Sequence, residues 1–68
     1  MDTEVCGPFA SADSALVAAK SLCDKYNGAL ATVYYGHFQY WVALAGGPLA
    51  KDEAYRPYYT VTGITIML

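Results

Sequence analysis

Apolar positions recur at helical spacing between Ala12 and Tyr26 and at alternating spacing on either side, so the chain divides into one helix and several strands. Thr3 to Cys6 predict a short strand closed by Gly7-Pro8. Ser11 is a suitable N-cap, with Asp13 in the first turn where the helix dipole favours an anion. Ala12, Ala15, Leu16, Ala19, Leu22, Cys23 and Tyr26 form one apolar stripe, and Asp13, Lys20, Ser21, Asp24 and Lys25 fill the other side. Asn27-Gly28 ends the helix, with Gly28 expected at the left-handed capping position.

Ala29 to Tyr35 and Phe38 to Leu44 predict two strands joined by Gly36-His37, a two-residue type II′ hairpin with glycine first. That loop sets Tyr35 opposite Phe38, Val33 opposite Tyr40, Ala31 opposite Val42 and Ala29 opposite Leu44, all facing the helix. Tyr34 with Gln39, Thr32 with Trp41 and Leu30 with Ala43 then occupy the outer face.

Ala45-Gly46-Gly47-Pro48 reads as a turn, and Leu49 to Tyr55 as a short second helix stopped by Arg56-Pro57. Tyr58 to Leu68 predict a last strand, with a β-bulge at Gly63 that keeps Tyr59, Val61, Ile64, Ile66 and Leu68 on one face. The expected fold is a single α+β domain over residues 1–68: a two-layer sandwich with one main helix on a mostly antiparallel four-stranded sheet, in the order β-α-β-β-(short α)-β. The Gly-Pro stretches from Gly7 to Asp13 and from Gly47 to Glu53 echo one another, and resemble the two-fold β-α-β repeat of ferredoxin-like folds.

Composition narrows the functional classes. With 56% hydrophobic and only 15% charged residues, the chain can bury a core and is not expected to be disordered. Six acids against four bases give a net charge of −2, and Lys20, Lys25, Lys51 and Arg56 are scattered, so direct nucleic-acid binding is not expected. No apolar run is long enough for a membrane span, and the acidic start Met1-Asp2-Thr3-Glu4 leads to no signal-peptide core. Read as complete, the chain is expected in the cytoplasm, with Cys6 and Cys23 as reduced thiols.

No catalytic or metal-binding set stands out. His37 is the single histidine and falls in the hairpin turn, while Cys23 falls on the buried stripe, where a thiol is inert. Cys6, Cys23 and His37 lack the spacing that puts two metal ligands on one turn. Asp52-Glu53 read as a solvated pair beside Lys51, and Gly46-Gly47-Pro48 lacks the lysine and second spaced glycine of a phosphate loop. Neither enzyme activity nor a cofactor is expected.

The aromatics carry more information: seven tyrosines, one tryptophan and two phenylalanines exceed what one small core needs. Tyr26, Tyr35, Phe38, Tyr40 and Tyr59 are assigned to that core, which leaves Tyr34 and Trp41 outside it. With Thr32 and Gln39 they form a candidate partner-binding face, because large aromatics give contact area at low entropy cost. Tyr55, Arg56 and Tyr58 form a second candidate patch.

Val5-Cys6-Gly7-Pro8-Phe9-Ala10-Ser11, followed by Ala15 and Leu22, resembles the G-P-F-x-S…A…L pattern of SPOR domains, with Tyr40-Trp41-Val42 and Gly47-Pro48-Leu49 similar to a degenerate second copy. The resemblance implies a β-α-β-β-α-β fold and, as one alternative, binding of peptidoglycan glycans. In size, acidity and lack of a catalytic set the chain is also similar to small phage anti-defence proteins of the anti-CRISPR kind. That similarity implies a non-catalytic inhibitor or adaptor in the host-cell cytoplasm that occludes a surface of a larger protein or nucleoprotein complex. A structural subunit acting as a homodimer is the remaining alternative.

Overall fold

The computed structural model describes residues 4–62. In chain order it contains β1 (Val5–Phe9), α1 (Ala12–Lys25), β2 (Leu30–Gly36), β3 (Gln39–Leu44), one 3-10 turn (Pro48–Lys51) and β4 (Arg56–Thr62). The expected α+β class is what is seen, with one helix packed on a four-stranded antiparallel sheet ordered β1-β3-β2-β4.

The Ser11 side chain accepts a hydrogen bond from the Ser14 N–H at 3.2 Å and caps α1 as its sequence predicts. At the other end Asn27, not Gly28, takes the first left-handed position (φ 58°), and Gly28 follows. The Asn27 N–H donates to the Asp24 carbonyl and the Gly28 N–H to the Cys23 carbonyl, the two-bond Schellman closure. Asparagine can fill this position because its short polar side chain lowers the left-handed penalty. The stripe then buries Ala15, Ala19, Leu22 and Cys23 against Ala31, Val33, Val42 and Leu44, with Phe9, Tyr40, Tyr59 and Val61 around them.

The hairpin differs from expectation in a specific way. Its turn lies at His37-Phe38, so Tyr35 pairs with Tyr40, Val33 with Val42 and Ala31 with Leu44, two residues off the predicted register. Side chains alternate with period two, so a slide of two leaves every strand residue on its predicted face. Phe38, expected in the core, sits in the turn and is 92% exposed; Tyr35, also expected in the core, keeps its face but is exposed. Gly36 is needed elsewhere. A Cβ there would lie 2.6 Å from the Ala54 carbonyl oxygen and 2.7 Å from Cδ1 of Tyr55, so this glycine admits a passing segment rather than forming the turn.

Other boundaries shift for similar reasons. β1 does not close at Gly7-Pro8 but continues through a cis Gly7–Pro8 peptide to Phe9, with irregular register between Cys6 and Phe9. The helix expected over Leu49 to Tyr55 is one 3-10 turn, after which the Asp52 side chain accepts the Ala54 N–H and its carbonyl the Tyr55 N–H, turning the chain. Arg56-Pro57 opens β4 instead of ending a helix, and proline is tolerated because β4 is an edge strand. The ladder between β2 and β4 carries Tyr58 as an extra residue between Pro57 and Tyr59. The bulge expected at Gly63 lies outside the described residues.

Strand order explains where the two long connections run. β1 and β2 are parallel to each other with β3 between them; β3 and β4 are parallel with β2 between them and run the opposite way. Both crossovers step across the sheet in the same direction. Two crossovers of the same, right hand must then cover opposite faces. α1 covers one face, and residues 45–55 cross the other, with Leu49 and Tyr55 packed on Tyr34, Trp41 and Ala43. A two-fold repeat exchanging β1 with β3 and β2 with β4 would not reproduce this order, so the Gly-Pro echo is not matched by symmetry in the sheet.

Gly36→Ala is expected to destabilise the domain by about 1–3 kcal/mol through overpacking against the Ala54 carbonyl and the Tyr55 ring. Urea unfolding followed by circular dichroism measures it; an unchanged midpoint would remove the close approach as the reason for this glycine.

Candidate functional site

The first predicted face, Tyr34, Trp41, Thr32 and Gln39, lies opposite α1 as expected but is largely covered. Tyr34 is 3% and Thr32 4% exposed, and only Gln39 is open to solvent. Trp41 is half-buried: its indole Nε1–H donates to the Gly36 carbonyl at 2.8 Å and its ring meets Tyr55 edge-on at 5.7 Å. The Thr32 hydroxyl shares a 3.1 Å hydrogen bond with that of Thr60 across the β2–β4 ladder. These residues hold the second layer in place, so substituting Trp41 removes packing as well as any outward contact.

The second predicted patch is divided. Tyr55 turns inward over Trp41 and also meets the His37 ring at 5.2 Å. Arg56 and Tyr58 go to the other face, at the hairpin end of the sheet. There Arg56 stands opposite Tyr35, and directly opposed residues project to one side. Tyr35 meets Tyr40 edge-on at 5.0 Å, Tyr40 meets Tyr58 at 5.6 Å, and Tyr58 meets Tyr59 at 5.0 Å. The bulge aims Tyr58 and Tyr59 to the same side, which is why the row is continuous.

This end of the molecule exposes large aromatic area: Phe38 at 92%, Tyr58 at 54% and Tyr35 at 39%. Phe38 escapes the sequence reading because the assumed turn pushed it into the core; Tyr35 keeps its predicted face but lies at the hairpin end of the sheet and is part-exposed there. The backbone there is strained. His37 (φ 55°) and Phe38 (φ 65°) both lie in the left-handed region demanded by a type I′ turn, which favours Asn-Gly. Each such residue costs about 1–2 kcal/mol when it is neither glycine nor asparagine.

Polar chemistry gathers at the far end. Glu4 accepts the Tyr26 hydroxyl at 2.7 Å and pairs with Lys25 at 3.0 Å, and these two hold its carboxyl below the ordinary carboxylate value. Cys6 lies next to it; burial first, then the Glu4 charge, push its thiol upward, so it is a poor nucleophile. A shallow groove of about 360 Å³ runs between α1 and β1, lined by Glu4, Cys6, Phe9, Ala18, Leu22 and Lys25, and the Cys6 thiol faces the Glu4 carboxylate at 3.9 Å. Cys23 is buried and its Sγ–H points to the Val61 carbonyl at 3.4 Å. Among the described residues no group of His, Cys, Asp and Glu could hold a metal ion, and no helix is long and apolar enough to cross a membrane. No known protein family, curated protein or solved structure matches the chain.

Replacing His37-Phe38 by Asn-Gly is expected to raise stability by about 1 kcal/mol, the relieved strain less the entropy glycine adds to the unfolded chain. A lower urea midpoint for the double variant would contradict the turn geometry. At the opposite end, folding lowers the Glu4 pKa, so its contribution is present above the unfolded value and is lost as pH falls through the folded one. Tyr26→Phe should move Glu4 back toward the ordinary carboxylate value in an NMR pH titration; an unmoved titration curve would assign the shift to Lys25 and Cys6.

Proposed function

We propose that this chain is a non-catalytic protein-binding module that acts by covering part of the surface of a larger protein or nucleoprotein complex, and that its working surface is the aromatic hairpin end. Phe38 carries the reading. It is an exposed aromatic held in a backbone conformation that glycine would adopt freely, at a position where the core gains nothing from it. Local rules are broken in natural proteins chiefly where function compensates. Tyr35, Tyr58 and Arg56, on the strands that reach the same end of the sheet, are the residue types that dominate binding energy at interfaces. The face opposite α1, the alternative site for glycan or partner contact, is occupied by residues 48–55, which favours the hairpin end over it.

The test is affinity capture of partners by tagged protein from its source cell, comparing wild type with Phe38→Gly and Tyr58→Ala. Both variants should stay folded by circular dichroism, and each should weaken binding of the specifically captured partner by about thirtyfold or more, the loss typical of an interface anchor. Lys20→Ala, exposed on α1, should bind as wild type does. Full retention of the partner by folded Phe38→Gly protein would refute the assignment.

A further inference from the structure

Arg56 is the cation at the aromatic hairpin end, three residues after the exposed Glu53. It is exposed, stands opposite Tyr35, and is followed after one residue by Tyr58. Among the described residues it has no carboxylate partner; the ion pair present, Lys25 with Glu4, lies at the other end of the sheet. From this we infer that the hairpin end recognises a carboxylate set in an apolar protein surface: an Asp or Glu side chain flanked by hydrophobic groups, received by Arg56 while Tyr35, Phe38 and Tyr58 take the apolar flank. The inference rests on the protein-binding reading of the same surface and adds the chemistry of the partner.

Three considerations converge on it. A guanidinium presents a planar fork that matches a carboxylate with two parallel hydrogen bonds, and such charge-assisted bonds are about twice as strong as neutral ones. Rings around the fork exclude water when a partner docks, which strengthens the pair and disfavours any partner that leaves the guanidinium unmatched. A single arginine on a chain of net charge −2 cannot neutralise several phosphates at once, so a nucleic-acid backbone is the poorer fit.

The experiment uses 3-phenylpropanoate, a carboxylate on an apolar stem, with its primary amide as the matched neutral probe. Each is titrated into labelled full-length protein and followed by the NMR signals of Tyr35, Phe38, Tyr58 and the Arg56 side chain. The carboxylate should shift these signals together and bind about fivefold or more tightly than the amide. Arg56→Gln should abolish that preference, and Arg56→Lys should restore only part of it. Equal binding of the two probes at this surface would overturn the carboxylate inference while leaving the aromatic surface intact. Shifts confined to other residues, or absent, would overturn it as well, and the capture experiment with Phe38→Gly then decides the broader reading separately. Concentration-dependent shifts of the same residues in protein alone, with a dimer in sedimentation, would assign the surface to a second copy and overturn the inference too.

Discussion

The order β1-β3-β2-β4, combined with crossovers of one hand, governs the rest of this small domain. It sends α1 over one face of the sheet and residues 45–55 over the other, so neither face stays open along its whole length. A sheet of this size with one naked face would leave Tyr34, Trp41 and Ala43 in water; the second crossover encloses them with little more than Leu49 and Tyr55. Gly36 follows from the same constraint, since the returning chain passes within contact of its backbone. Both edge strands contain a proline, Pro8 in β1 and Pro57 in β4, which interrupts them as templates for further pairing. The exposed aromatic area, Tyr35, Phe38 and Tyr58, is gathered at the hairpin end of the sheet.

This constraint also accounts for what could be read from the residues beforehand. α1 was legible from its stripe and from Ser11, because helical period and capping are local properties. The two faces of the β2–β3 hairpin were legible despite a wrong turn, because alternation fixes parity and the true register differs by two residues. The turn itself was not, since Gly36 reads as a turn glycine until the 54–55 segment is known to pass over it. The burial of Tyr34 and Thr32 was equally hidden. It depends on which strand β4 joins, and nothing in residues 45–55, mostly small and exposed, announces that they form a layer.

The candidate site divides along the same line. Arg56 and Tyr58 could be singled out because aromatic–arginine clusters are visible as composition. Their separation from Tyr55 could not, because it turns on the strand starting two residues earlier than expected and on the extra residue at Tyr58. Phe38 was lost through its turn, and the same turn makes it informative once seen. The residue that propensity would remove from this position is the one the fold displays.

Had the turn been selected for stability alone, Asn-Gly would serve it better, and the exchange would cost the edge contact of His37 with Tyr55 while leaving the core under α1 untouched. A domain of this length draws only about 3–5 kcal/mol from its core, so left-handed strain of about 1–2 kcal/mol per residue is a large share of the margin. An exposed phenylalanine at the tip is a further liability, since apolar surface of this kind invites unspecific association. Both penalties act on the isolated monomer and both vanish with two substitutions. Under the proposed function the compensation comes from outside the monomer: burial of the Phe38 ring against another molecule, at about 1.5–3 kcal/mol for a side chain of that kind, is of comparable size.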